Sequence, residues 1–313
     1  MSRKPKIIVL AGSTAVGKTA FAIGLAKALD GEIIGADSMQ IYRHMDIGTA
    51  KPTRQERAQV PHHLIDIRNP DEPFDASQYV REARRAVGEV IHRRKVPLVV
   101  GGTGLYIKAL LGGIFRLDTV DGRIRERLRR SLDSEGVDAL YERLKGCDPE
   151  TAGRLQPNDT YRILRALEIF EATGMPITDH QQEHRFQDAP YRSFTLGLRM
   201  DRDALYDRIN RRVDAMVAEG FPREVRNLLD RGYSEDLKSM QSIGYRHMVD
   251  VIRNRSTLEE AVDVMKRDTR RYAKRQMTWF KADPHVLWMA PSQNRAATDV
   301  IERFLHSPGA DHP

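Results

Sequence analysis

Ile7-Ile8-Val9-Leu10-Ala11-Gly12-Ser13-Thr14-Ala15-Val16-Gly17-Lys18-Thr19 is the stretch whose reading decides the fold. Its last eight residues match the phosphate-binding pattern G-x-x-x-x-G-K-[ST] at every fixed position. The run before it is continuously apolar and β-branched, as in a strand buried on both faces. Lys18 to Leu29 reads as an amphipathic helix. Gly12 and Gly17 let the backbone wrap close to an anion, with successive N–H groups and a helix N-terminus facing it. Lys18 would reach the terminal phosphate and the Thr19 hydroxyl would hold Mg²⁺. The bland alternative, a glycine-rich turn that holds nothing, agrees less well with the flanks. A diphosphate or triphosphate site follows; a nucleotide and hydrolysis do not.

Outward from the loop, Glu32-Ile33-Ile34-Gly35-Ala36 is a second strand that ends on Asp37-Ser38-Met39-Gln40. In open parallel sheets ligands sit beyond the carboxyl ends of the strands, which places Asp37 beside the phosphate loop. There a carboxylate can ligate metal or take a proton; its competing reading is a turn cap. Tyr42 to Pro73 lacks periodicity, carries four prolines and reads as a long ordered loop with short elements. The adjacent His62 and His63 have no third ligand spaced for zinc and read as structural. Ser77 to Lys95 is a basic amphipathic helix, followed by the buried strand Val96 to Val100. That strand ends in Gly101-Gly102-Thr103-Gly104, where an ATPase motor would place a metal-holding Asp. The departure argues against a motor and leaves smaller transferases in play.

From Thr119 to His180 the chain turns to short charged helices, Asp121 to Glu135, Val137 to Lys145 and Thr160 to Thr173, closed by the polar loop Gln181 to Pro190. The expected fold is therefore α/β: a phosphate-loop parallel sheet flanked by helices (1–117 and 192–313) with an all-helical insertion (118–191). Strand character returns at Ser193 to Arg199. Helices follow at Asp201 to Glu219, Pro222 to Asp230 and Ile243 to Arg253, and Thr257 with Glu260 forms a capping box for a helix reaching about Ala282. On that helix Lys266, Arg270 and Lys274, and Arg267, Arg271 and Arg275, form two stripes of one basic face. A last strand is expected at His285 to Met289, then a helix after Ser292.

The 313 residues carry 51 Lys and Arg against 44 Asp and Glu, a formal charge of +7. So mild an excess points to a polyanion only because it is clustered, and the face from Lys266 to Arg275 reads as a phosphate-backbone surface. The N-terminus runs straight into the first strand with no signal peptide, and no apolar stretch is long enough to span a membrane. A single cysteine, Cys147, excludes an internal disulfide and fits a reducing compartment. A cytoplasmic protein is expected.

Several stretches together resemble the tRNA dimethylallyltransferases, also called tRNA isopentenyltransferases. They are the phosphate loop with Thr14, Ala36 to Tyr42, Met45 to Pro52, Pro61 to Asp66, Gly101 to Tyr106, Ser242 to Arg246 and Tyr272 to Phe280. The resemblance implies that Gly12, Ser13, Thr14, Ala15, Val16, Gly17, Lys18 and Thr19, with Arg208, hold dimethylallyl diphosphate. The dimethylallyl group would pass to N6 of the adenosine 3′ of the anticodon, position 37, in tRNAs reading codons that begin with U. Asp37 matches the general base and Thr14 the residue touching the bridging oxygen; Thr19 and Mg²⁺ would stabilise the leaving group. Asp37, Ser38, Met39, Gln40, Thr103, Arg125, Tyr161, Arg162, Ile163, Leu164, Arg165, Ser242, Ile243, Gly244, Tyr245 and Arg246 match tRNA-contacting positions, and the basic helix adds Lys274 and Arg275. The implied partners are the anticodon stem-loop of tRNA and the allylic diphosphate, with no membrane and no protein partner for a monomeric enzyme. Ser13 and Val16 stand where the family more often has Pro and a small residue. A small kinase would share the loop and an Asp such as Asp37 but has no use for the basic helices; a prenyltransferase of free adenine nucleotides leaves them equally unexplained. A non-catalytic RNA-binding protein needs no phosphate loop.

Overall fold

The computed structural model describes residues 4–113, 122–184 and 189–307. Six strands, β1 (Lys6–Gly12), β2 (Gly31–Ala36), β3 (His62–His63), β4 (Val96–Gly101), β5 (Arg192–Leu198) and β6 (Leu287–Met289), form one sheet in the order β3-β2-β4-β1-β5-β6. Every pairing is parallel. The order puts β1 at the centre, between β4 and β5, and its Ile7 to Ala11 are fully buried. A parallel sheet covered on both faces needs such a continuous apolar run rather than an alternating one.

Helices α1 (Lys18–Ala28), α2 (Arg54–Gln59), α3 (Ala76–His92) and α4 (Gly104–Gly112) precede the insertion. Helix α1 is not amphipathic as its sequence suggests: Phe21, Ala22, Ile23, Leu25 and Ala26 are all buried. A helix at the C-terminus covers its outer side, with Asn294 Nδ2 donating to the Phe21 carbonyl at 3.0 Å and packed against Gly24. An outer layer from so far along the chain leaves no local pattern. Helix α3 starts at Asp75, whose carboxylate accepts from the Gln78 N–H at 2.8 Å, and buries one apolar stripe from Ala76 to Val90.

The helical unit, Gly112–Ala189, holds α5 (Gly122–Cys147), α6 (Pro149–Arg154), α7 (Thr160–Thr173) and α8 (Ile177–His184). Gly136, at φ 82°, breaks α5 into the two helices expected from the sequence. Leu128, Leu140, Leu144, Ala152, Ile163, Ala166 and Leu167 form its core. Helices α6 and α8 went unforeseen, being too short to carry a period. Buried Asp148 holds both, accepting from the Thr151 N–H at 2.9 Å and the Thr178 hydroxyl at 2.7 Å. Helix α8 also runs into the stretch expected to be a polar loop, of which residues 185–188 lie outside the described ones, as do 114–121 at the start.

The larger unit, Met1–Leu111 with Pro190–Pro313, continues with α9 (Arg202–Ala218), α10 (Phe221–Asp230), α11 (Tyr245–Ile252), α12 (Leu258–Lys281) and α13 (Asn294–His306). The capping box at Thr257 and Glu260 is formed in both directions, at 2.9 and 3.2 Å. Helix α13, expected after Ser292, runs to His306; residues beyond 307 lie outside the described ones.

Candidate active site

The carboxyl ends of β1, β2 and β4 lie side by side, and each delivers one piece of the site. From β1 comes the phosphate loop. Gly12 and Gly17 adopt φ of 154° and 103°, and Ala15 is held at 63°, a strained value for a residue with a Cβ. Gly17 is the N-cap of α1 and gives no side-chain cap, so the first N–H groups of the helix are left for an anion. Val16 is buried in the core, which leaves only its backbone to face a ligand. Ser13 is buried too, and its hydroxyl has no partner among the described residues.

Lys18 turns back over the loop and donates to the Gly12 and Ser13 carbonyls at 2.9 and 2.7 Å. Burial pushes its pKa down to about 8; Asp37 opposes the shift and Arg212 adds to it. Arg208, on α9, lies against Gly17, its Nη2 3.4 Å from where a Cβ would stand. Arg212 stands one turn further along α9, where burial lowers its pKa and Asp37 and Arg208 are its charged neighbours. The sequence reading missed Arg212; its spacing of four from Arg208 was the available signal.

From β2 comes Asp37, and its reading as a turn cap is met. Its Oδ1 accepts from the Met39 and Gln40 N–H groups at 2.8 and 3.3 Å, so it caps the turn. Its Oδ2 takes no hydrogen bond among the described residues, and the carboxylate acts electrostatically on Lys18, Arg212 and Tyr272. From β4 comes Thr103, whose hydroxyl accepts from the Ser38 N–H at 3.1 Å and bonds the Tyr272 hydroxyl. Burial and the Asp37 charge both hold Tyr272 protonated. Gln276 of α12 also enters here, accepting from the Thr14 N–H at 2.8 Å and donating to the Gly102 carbonyl at 2.9 Å.

The segment after Asp37 is pinned by buried polar groups. Gln40 Nε2 donates to the carbonyls of Thr49 and Ala50 at 3.2 and 3.3 Å. Lys51 is buried between Asp46 and Asp66, 2.6 Å from each, and also donates to the Tyr42 carbonyl. Glu224 of α10 accepts from the N–H groups of Asp46, Ile47 and Gly48. Tyr245 adds its hydroxyl to the same carboxylate at 2.6 Å. Of the two histidines, His63 faces the buried Glu32 at 2.6 Å and His62 bonds the Val60 carbonyl.

Three residues expected to touch RNA are positioned otherwise. Tyr245 is buried with its hydroxyl spent on Glu224, and Gly244 is packed against Phe221 and Met265, so both support the loop from behind. Ile163 is fully buried in the core of the helical unit, where periodicity alone could have placed it. Beside it Leu164 is half-buried against the same core. Tyr161 is 72% exposed; Arg125 and Arg165 both pair with the buried Glu168, at 2.5 and 2.6 Å, and Arg162 pairs with Asp159. Arg246 is held by Asp268 at 2.6 Å, the Ser242 hydroxyl donates to the Ser239 carbonyl, and Ile243 between them is half-buried.

The basic face of α12 is also split. Lys266 turns to Asp214 and Arg270 to Asn210, both on α9, while Arg267 and Arg271 gather around Asp268. Only the last turns present free charge: Lys274 and Arg275 are exposed and form no ion pair among the described residues.

The comparisons agree with one another. The model of the IPP transferase family matches residues 40–283. A tRNA dimethylallyltransferase of Syntrophobacter fumaroxidans is 55% identical over 95% of this chain and 87% of its own length. One of Desulfosudis oleivorans is 52% identical over 96% of both chains. The full-length tRNA isopentenylpyrophosphate transferase of Bacillus halodurans superposes with a TM-score of 0.71 at 42% identity, over 96% of both chains. A eukaryotic dimethylallyltransferase acting on tRNA superposes at 0.78 with 29% identity, covering 98% of this chain and 81% of its own.

Proposed function

This chain belongs to the IPP transferase family, and from that premise we propose that its phosphate loop holds a diphosphate leaving group while Asp37 takes a proton from the acceptor. The chain is an enzyme that transfers a dimethylallyl group to tRNA. The donor is dimethylallyl diphosphate and the acceptor N6 of adenosine 37, 3′ of the anticodon, in tRNAs that read codons beginning with U. The products are N6-isopentenyladenosine and diphosphate.

As the allylic C–O bond breaks, negative charge collects on the diphosphate. The loop N–H groups, Lys18, Arg208 and Arg212 gather positive charge around the loop to meet it, and donors held in place by the fold stabilise the transition state most. The adenine amine is a poor nucleophile because its lone pair is delocalised into the ring, and a carboxylate that accepts its proton offsets this. What carries the reading is the divided use of Asp37: one oxygen builds the turn, and the other is left uncommitted at the strand end that delivers it to the loop. Mg²⁺ suits the site, since it needs one or two protein oxygens besides phosphate and water, and the half-buried Thr19 hydroxyl has no other partner among the described residues. There it would neutralise the departing diphosphate.

Outside the chemistry, Ser38, Met39, Gln40 and Thr103 line the turn that receives the base, which must leave its stack to reach them. Tyr161, Arg125, Arg162 and Arg165 on the helical unit, and Arg246, Lys274 and Arg275 on the larger one, contact the stem-loop. No helix among the described residues is long and apolar enough to cross a membrane. We place the enzyme in the cytoplasm with its substrate, acting as a monomer.

Asp37→Asn separates base from cap, because an amide oxygen still accepts from the Met39 and Gln40 N–H groups. Turnover is expected to fall by about a hundredfold or more, the usual worth of a general base, with tRNA affinity within about threefold. Wild-type turnover in that variant would remove Asp37 from the chemistry.

A further inference from the structure

The glycine run Gly101 to Gly104 and the stretch Tyr272 to Trp279 lie far apart in the sequence, and the reaction described above leaves most of both unexplained. In the structure each accounts for the other. Gly102, built with a Cβ, would place it 2.2 Å from Gln276 Nε2. Gly104, built likewise, would meet the Trp279 ring at 2.2 Å. Tyr272, Gln276 and Trp279 recur at i, i+4 and i+7, so they share one face of α12. That face is seated on the end of β4, and the two glycines are there to admit it.

Gln276 is the polar centre of this contact and is 6% exposed. Its amide spans two segments of the site: the oxygen accepts from Thr14 N–H in the phosphate loop, and the nitrogen donates to the Gly102 carbonyl. The reversed orientation would set NH₂ against N–H and oxygen against carbonyl, so one orientation alone satisfies both partners. Any side chain at Gly102, just past the strand end where a hydrolytic motor would carry its carboxylate, would collide with this amide. A neutral amide there keeps negative charge away from the anion cradle while fixing the loop at Thr14.

We propose that Gln276 is the positioning residue of the phosphate loop, holding Thr14 and the end of β4 at the spacing that receives the diphosphate. The proposal rests on the reading of that loop as a diphosphate cradle. It also gives α12 two faces with separate tasks, since Lys274 and Arg275 point to solvent within the same turn that grips the loop.

The test is calorimetric titration of inorganic diphosphate with Mg²⁺ into the full-length wild type, Gln276→Met and Gln276→Glu, with tRNA binding measured alongside. Methionine keeps the length and loses both hydrogen bonds. Its diphosphate Kd is expected to rise about tenfold, the scale of one or two net hydrogen bonds, while tRNA Kd stays within about twofold. Glutamate keeps the acceptor, loses the donor and adds a charge. Its defect should be larger at about pH 8 and shrink toward pH 6, relative to wild type at each pH, as the buried carboxyl gains a proton and again donates and accepts. Diphosphate binding within twofold of wild type in both variants would overturn the proposal. So would equal losses of diphosphate and tRNA affinity, which mark a general packing defect. No diphosphate binding by the wild type would overturn the cradle reading, and this inference with it.

Discussion

Lys18 is the buried charge of the phosphate loop. Its ammonium donates to two loop carbonyls, and burial has brought its pKa down to about 8. The charge is therefore complete near neutral pH and is lost as pH rises through that value. Diphosphate affinity of the free enzyme should be flat from about pH 6 to 7.5 and then weaken, approaching tenfold per unit above about pH 8. Titration of wild type against Lys18→Met checks this: the variant should bind weakly with no such bend, and a bend that persists in it would assign the titration elsewhere. The residues of the loop were legible because their pattern is local. Arg212, Gln276 and Tyr272 were not assigned a role, because each reaches the site from a helix more than a hundred residues away in the sequence.

At the scale of elements, reading periodicity located nearly every long helix and strand of the larger unit, since a period survives whatever packs against it. It erred where a second layer intervened. Helix α1 buries residues around most of its circumference because α13 packs on it, and much of the basic stripe of α12 is consumed by Asp214, Asn210 and Asp268. Charge density along a helix says nothing about which acids another helix will bring to it. The split has a consequence for RNA binding. Lys274→Ala with Arg275→Ala should weaken tRNA binding and lower the salt slope by about two phosphate contacts. An unchanged slope would mean that these two residues are merely solvated.

On the scale of the whole molecule, the parallel sheet order puts three strand ends together and gives each a different task. On the proposed reading the end of β1 cradles the leaving group and that of β2 carries the base, while that of β4 holds glycines instead of a carboxylate. That last difference separates the chain from a nucleotide-hydrolysing machine built on the same loop, and it was visible in the sequence as an absence; only the fold shows what fills it. The helical unit was legible as helical and basic, but not which arginines its buried Glu168 would hold in pairs. On the proposed reading the anion in the loop is a leaving group attached to an allyl carbon. This reading is tested by incubating the enzyme, Mg²⁺ and unmodified tRNA either with dimethylallyl diphosphate labelled in the allyl group or with ATP labelled in its terminal phosphate. The allyl label is expected to enter the tRNA and to be recovered on digestion as N6-isopentenyladenosine from position 37, with no phosphate label transferred. Phosphate transfer from ATP with no prenylated nucleoside would contradict this reading.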